Sequence, residues 1–333
     1  MAVQNPLLTS HLAAVSRSFY LTLKVLPWRV RPQIGLAYLL ARTTDTIADT
    51  DLVPASQRLE ALQRLRERIM GTRTSPVRFP ELAGKQSSPA ERVLLEKCEA
   101  GVSLLETLTP TDQQLVRSVL EVITSGQELD LRRFESASSS SIIGLKTPAD
   151  LDDYTYRVAG CVGEFWTQIC RRHLFPKAKL DESLLLRNGV RFGKGLQLVN
   201  ILRDLPADLR TGRCYIPTDE LLARQLRPED LLDPKNETRF RPLFDSYLAV
   251  ARGHLEAGWN YTNSLPFGCI RLRLACSWPV LLGMETLRLL ARTPVLRPDC
   301  RVKVPRTTLR NVMIRTVLFY PFPGMWKGLA PKA

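Results

Sequence analysis

Apolar residues recur along this chain at intervals of three and four, the period of an α-helix with one face turned inward. The pattern predicts helices over residues 32–50, 56–70, 90–107, 111–134, 150–174, 183–205, 218–224, 239–263 and 271–292. Pro32 stands in the first turn of the first helix, where its missing amide donor costs nothing. Gly71 follows the second, as a residue suited to closing a helix. No alternating series bounded by hairpin turns argues for strands, so the expected class is all-α. Breaks fall at 71–89, rich in Gly, Pro, Ser and Thr, and at 135–149, where Ser138 to Ser141 read as a surface loop. Neither flank closes a core pattern of its own, and no unit of 20–50 residues repeats. One helical domain over residues 1–333 is therefore expected.

Two of these helices carry a polar stripe on an apolar background. In the segment ending Asp45-Thr46-Ile47-Ala48-Asp49, a turn of about 100° per residue puts Tyr38, Arg42, Asp45 and Asp49 at roughly 0°, 40°, 340° and 20°. Leu39, Leu40 and Ile47 surround that stripe. Further on, Gln197 precedes Asn200, Asp204 and Asp208, which stand four apart, with Arg203 beside them and Arg210 and Arg213 following. Carboxylates one turn apart suit Mg²⁺, a hard cation that takes oxygen ligands and keeps some water. Guanidinium groups suit phosphate oxygens. A single pair of this kind is most often a solvated helix face. Two of them, each with arginine nearby in a chain without a Gly-rich phosphate loop, point to metal-dependent chemistry on a prenyl diphosphate. Pro206 lies between the second pair of aspartates, where it removes a helical donor and can kink or end the helix. Asp208 is on that account the least secure ligand.

Composition narrows the alternatives. The chain has 333 residues, 44% of them hydrophobic and 24% charged, a profile that argues against a mainly disordered, collagenous or disulfide-stapled protein. Forty-seven Lys and Arg against 33 Asp and Glu leave a net charge of +14, which favours polyanionic partners. Aromatic residues are only 7%, and neither RNP-like nor zinc-finger spacing is present, so a non-enzymatic nucleic-acid-binding protein is the weaker class. The seven cysteines form no CxxC pair and read as buried free thiols; the three histidines, His11, His173 and His254, lie far apart and disfavour a zinc site or a triad. Apolar stretches are cut by charge or proline before 18 residues, and the N-terminus has neither the basic start nor the apolar core of a signal peptide. The expected location is cytoplasmic.

At the acidic residues the sequence resembles the squalene and phytoene synthase family, whose members join two prenyl diphosphates head to head. The likeness covers roughly residues 14–310. Ser16-Arg17-Ser18-Phe19-Tyr20 is similar to the family's N-terminal substrate-binding segment, and Tyr38 to Asp49 to its first aspartate-rich helix. Tyr154-Thr155-Tyr156-Arg157-Val158-Ala159-Gly160-Cys161-Val162-Gly163 resembles the YxxxVAGxVG helix. Gln197 to Asp204, continuing through Gly212-Arg213-Cys214-Tyr215-Ile216-Pro217, resembles the second aspartate-rich signature. Four motifs in register are a specific match.

The resemblance implies a helical isoprenoid-synthase fold with a central cavity. It implies Mg²⁺ held by Asp45, Asp49, Asp204 and Asp208, with Asn200 beside them, against the diphosphates of two farnesyl diphosphate molecules. Ser16, Arg17, Ser18, Tyr38, Arg42, Gln197, Asn200, Arg203 and Arg213 are the implied substrate-binding residues, and Tyr154 the residue of ionisation and proton transfer. Ala159, Gly160 and Gly163 permit close helix packing. The first aspartate-rich helix and the late segment Val302-Lys303-Val304-Pro305-Arg306 resemble squalene-forming members, in which a similar basic stretch is associated with NADPH. On that likeness Lys303, Arg306 and Arg42 hold NADPH, against the plain alternative of a solvated or membrane-facing basic strip. The run from Gly212 to Pro217 reads more like the bacterial phytoene-type enzymes, which use no reductant; a hydroxysqualene-forming branch is a further alternative. The expected product is squalene, through presqualene diphosphate. The segment 317–326 is apolar but short and broken by proline; with Arg310, Arg315 and Lys327 around it, it is expected to close the core or to touch a membrane peripherally, at its inner face.

Overall fold

The computed structural model describes residues 5–16, 19–297 and 299–330; Arg17 and Ser18 lie outside the described residues. The class is all-α, and the chain divides into two compact units, 1–135 with 165–178 and 136–164 with 179–333.

The first unit contains α1 (Ser10–Val15), α2 (Phe19–Val25), α3 (Arg31–Ala48), α4 (Ala55–Met70), α5 (Pro80–Gly84), α6 (Pro89–Glu96), α7 (Cys98–Glu106) and α8 (Pro110–Arg133). The starts of α6 and α8 follow one chemical rule. Ser88 and Thr109 accept hydrogen bonds from the amides of Glu91 and Asp112, and a proline with no donor to satisfy occupies the next position. Gly71 closes α4 at φ +83°, a left-handed conformation that a side chain resists. In this unit α3 packs along α8 and against α4, α6 and α7, so most of its surface is core.

In the second unit are α9 (Pro148–Thr155), a five-residue π-helical turn (Tyr156–Gly160), the start of α10 (Cys161–Leu174), α11 (Glu182–Arg210), α12 (Thr218–Leu222), α13 (Glu237–Ser264), α14 (Ile270–Leu290), α15 (Arg306–Phe319) and α16 (Pro323–Lys327). A reciprocal capping box between Thr147 and Asp150 starts α9, and Asp181 caps α11. The spine of the unit is α11 against α13. Two residues of β1 (Ile143–Gly144) pair in parallel with two of β2 (Arg213–Cys214).

Four differences from the periodicity reading have physical causes. The apolar pattern of 90–107 runs through a break at Lys97, whose φ and ψ of −103° and 13° leave the helical region, so two helices share one stripe. Helix 150–174 contains the π turn, which shifts hydrogen bonds without altering residue types. A strand of two residues is too short to show a period. Helix α11 passes through Pro206 and ends only at Arg210; Leu205, Pro206 and Leu209 are buried, and that packing holds the last turn despite the lost donor. All seven cysteines are free thiols, five of them buried, and burial raises the pKa of Cys161 to about 12.

Candidate active site

In α3, only Tyr38, Ala41, Arg42 and Asp45 escape burial between Ile34 and Ala48. The polar residues on the buried side are self-sufficient: the hydroxyls of Thr43, Thr44 and Thr46 donate to the carbonyls of Leu39, Ala41 and Arg42 at 2.8–2.9 Å. Asp49 caps the helix, its amide donating to the Asp45 carbonyl at 2.9 Å, and is exposed. Tyr38, Arg42, Asp45 and Asp49 therefore form one open face on a helix otherwise sealed in the core. Phe19 stacks on Tyr38 with ring centroids 5.0 Å apart, which brings the start of α2 beside this face. Ser16 is 1% exposed and its hydroxyl finds no partner among the described residues.

Arg42 is held from two sides. One guanidinium nitrogen donates to Asp45 and another to Glu91 of α6 at 2.5 Å. Burial disfavours its charge, and Asp45 and Glu91 together more than offset this, so its pKa lies above the ordinary arginine value. Glu91 is a site residue that sequence reasoning missed, since nothing in the pattern of 90–107 links it to a helix 49 positions away.

The second face repeats the design. Along the last turns of α11, Leu198, Val199, Ile201, Leu202, Leu205, Pro206 and Leu209 are buried, while Gln197, Asn200, Arg203, Asp204, Ala207 and Asp208 are not. Because the helix runs on through Pro206, Asn200, Asp204 and Asp208 keep their one-turn spacing, and the expected displacement of Asp208 is not found. Arg203 grips Asp204 with a two-point fork, Nε to Oδ1 at 2.8 Å and Nη2 to Oδ2 at 2.6 Å. That bond, opposed by burial and reinforced by the charges of Asp204 and Asp208, raises the arginine pKa.

Tyr154 lies in the last turn of α9, two residues before the π turn, and is 9% exposed. Its ring stacks on Tyr215 at 4.8 Å, and the two hydroxyls stand 3.5 Å apart. A contact that long is a weak hydrogen bond, so the Tyr154 hydroxyl is near a second phenol without being locked to it. Tyr215 was visible in the sequence only as part of a motif; its place against Tyr154 is a structural finding. Arg213 is half-buried in β2, beside Gly212 at φ +84°. The π turn and the start of α10 lie directly on α11: a Cβ on Gly163 would stand 1.9 Å from the Gly189 carbonyl oxygen, and one on Gly193 2.0 Å from that of Ala159. Lys303 and Arg306 are both exposed, Arg306 opening α15.

Among the described residues no three His, Cys, Asp or Glu side chains gather into a ready-made metal cluster. Magnesium does not need one, since it is commonly held by one or two carboxylates with phosphate oxygens and water completing its shell. Two partly open faces, each with a pair of aspartates one turn apart, fit that requirement.

Fold and site together define an all-α isoprenoid synthase. A ligand complex of TcSQS aligns with 98% of this chain and 90% of its own, at TM-score 0.78 and 21% identity. The squalene/phytoene synthase family model matches residues 12–308, and the chain belongs to that family, whose members are prenyltransferases. A bifunctional lycopene cyclase/phytoene synthase of Colletotrichum graminicola is 31% identical over 74% of this chain, the match spanning 40% of that relative's length. The squalene synthase of Saccharomyces cerevisiae is 26% identical over 91% of this chain and 65% of its own length. Relatives of both product types thus match.

Proposed function

We propose that the protein joins two farnesyl diphosphates head to head into presqualene diphosphate and reduces that intermediate with NADPH to squalene. The observation that carries the reading is the pair of open acidic faces, each flanked by buried apolar positions of its helix and each fitted with an arginine. Asp45 and Asp49 on one face, and Asp204 and Asp208 with Asn200 on the other, would hold Mg²⁺. The metal supplies positive charge to departing diphosphate oxygens. Arg42, Arg203 and Arg213 bind the same oxygens by directed hydrogen bonds. Tyr38 and Gln197 flank the two faces and orient the bound groups. Ser16, Arg17 and Ser18, which precede Phe19 in sequence, are proposed to bind substrate. Loss of diphosphate leaves an allylic cation that must be kept from water. Tyr154 donates its phenolic proton to the leaving diphosphate oxygen or passes the proton lost in cyclopropane closure, with Tyr215 as its neighbour. NADPH supplies hydride in the second half-reaction, and Lys303 and Arg306 are two exposed cations suited to its phosphates.

The likeness of residues 212–217 to phytoene-type members, and the 31% identity to a phytoene synthase-bearing relative, favour a second reading, in which no reductant is used. Incubation with farnesyl diphosphate and Mg²⁺, with and without NADPH, followed by mass analysis of the products, separates the two. Squalene formed only with NADPH supports the first. Dehydrosqualene, phytoene from longer substrates, or hydroxysqualene regardless of NADPH supports the second or its relatives. Turnover of no prenyl diphosphate refutes both.

A further inference from the structure

Helix α15 breaks the rule by which a surface helix hides its apolar side. Thr316 is its only buried residue, while Ile314, Val317 and Leu318 are 43%, 54% and 61% exposed. Phe322 and Met325 follow at 57% and 51%, and Phe267 stands open at 54%. An aromatic cluster lies between these segments. Tyr320 stacks on Phe267 at 4.9 Å and meets Trp326 edge-on at 5.1 Å; Trp326 stacks on Trp259 at 5.5 Å. The backing is rigid: Trp278 Nε1 donates to Thr316 Oγ1 at 3.0 Å, Trp326 Nε1 to Asn263 Oδ1 at 2.9 Å, and Arg273 lies 5.3–5.7 Å from the centres of the Phe267, Tyr320 and Trp326 rings. A firmly anchored platform thus presents six apolar side chains to solvent.

The charge around the platform is of one sign. Residues 301–330 contain Arg301, Lys303, Arg306, Arg310, Arg315 and Lys327 and no Asp or Glu. At 100° per residue, Arg310 falls on the same face of α15 as Ile314 and Val317, one turn nearer the start of the helix. The stripe therefore runs from cation to hydrocarbon. We propose that this platform docks on an anionic phospholipid surface, with Ile314, Val317, Leu318, Phe322 and Met325 entering the acyl boundary and Arg310, Arg315 and Lys327 at the headgroups. Amphipathic helices with cationic flanks bind membranes in this way. At 14 residues α15 is about 21 Å long, and no described helix is long and apolar enough to cross a bilayer, so the contact is interfacial. A second copy of the chain fits the platform poorly, because a two-fold contact sets each cation against its own kind.

The test is flotation of the full chain with phosphatidylcholine vesicles, with and without phosphatidylglycerol, alongside sedimentation velocity without lipid. The parent should float with the mixed vesicles and weakly or not at all with phosphatidylcholine alone. Val317→Ser with Leu318→Ser, both at exposed positions, should weaken vesicle binding about tenfold or more. Arg310→Glu with Arg315→Glu should abolish the preference for anionic lipid. Unchanged melting of both variants excludes misfolding as the cause. Failure of the parent to float, or equal flotation of the serine variant, overturns the proposal. So does a parent dimer that the serine variant converts to monomer in the absence of vesicle binding, which would assign the platform to a second copy.

Discussion

Replacing Gly163 by alanine tests whether the contact of the π turn and the start of α10 with α11 sets the proposed site. Two effects of opposite sign compete. Alanine in a helix is favoured over glycine by about 0.5–1 kcal/mol, because the unfolded chain has less freedom to lose. Against this, the new methyl would stand 1.9 Å from the Gly189 carbonyl oxygen and 2.4 Å from its carbon, both backbone atoms that no rotamer change can move. Ordinary contact begins near 3.4 Å, so the two segments must part by about 1.5 Å in an interior with no slack. Overpacking of this kind costs roughly 1–3 kcal/mol, and a clash with backbone belongs at the upper end. The net expectation is about 2 kcal/mol of destabilisation, read as a fall in denaturant midpoint at unchanged m-value. Gly253→Ala in α13 is the control: its nearest neighbour is the end of the Arg191 side chain at 3.8 Å, so only the favourable effect operates and stability should rise slightly. Since Tyr154 stands in the last turn of α9, two residues before the π turn, product formation by the Gly163 variant should fall about tenfold or more even at temperatures where it is fully folded. A Gly163→Ala protein that melts at or above the parent and keeps its rate would refute the close contact and its role in placing Tyr154.

Asp45→Asn and Asp204→Asn preserve size and each remove one charge proposed to bind metal; turnover at saturating Mg²⁺ should drop by about 100-fold or more with the circular dichroism spectrum unchanged, and near-parental rates in both would sink the two-face reading. Tyr154→Phe removes only a hydroxyl and should slow product formation by about 100-fold while leaving diphosphate binding, measured by product inhibition, within a fewfold of the parent. Lys303→Ala with Arg306→Ala should leave presqualene diphosphate formation nearly intact and slow its reduction, so that presqualene diphosphate accumulates at limiting NADPH. Exposed cations contribute little singly, so both must change. Equal loss of the two half-reactions would mark the segment as structural.

Periodicity exposed what depends on residue type repeated over many positions. The stripe of Tyr38, Arg42, Asp45 and Asp49 was legible because burial around it follows the helical wheel, and the wheel needs only spacing. The second stripe was legible up to Asp204. Beyond it, local propensity and tertiary packing disagreed, and the burial of Leu205, Pro206 and Leu209 decided for the helix. The π turn was hidden because Tyr156 to Gly160 keeps helical composition while the backbone changes its hydrogen bonds. Glu91 on Arg42 and Tyr215 on Tyr154 were hidden for a different reason: each joins residues 49 and 61 positions apart, and no short-range pattern carries such a pairing. Helix α15 escaped because the signal sought was an apolar face turned inward, and its apolar side is turned out.

The two faces share a feature that bears on how they change state. In each, an aspartate proposed to hold metal has a cationic partner, Asp45 with Arg42 and Asp204 with Arg203. An acidic face awaiting a diphosphate would otherwise present two like charges one turn apart and repel the substrate it must bind. Pairing with arginine neutralises part of that charge and, at Arg42, leaves the guanidinium shared with Glu91, so it remains ion-paired if Asp45 turns to a metal. Both side chains of the Arg203–Asp204 pair are more than a third exposed, so its net contribution to stability is small and separating the partners costs little. On the proposed function, arrival of Mg²⁺ with diphosphate would give every charge an opposite one: carboxylate to metal, guanidinium to phosphate oxygen. The exchange needs no net creation of buried charge, only a change of partners. Arginine suits that exchange better than lysine: a planar fork can hold a carboxylate at two points, as Arg203 holds Asp204, and then offer the same geometry to a phosphate.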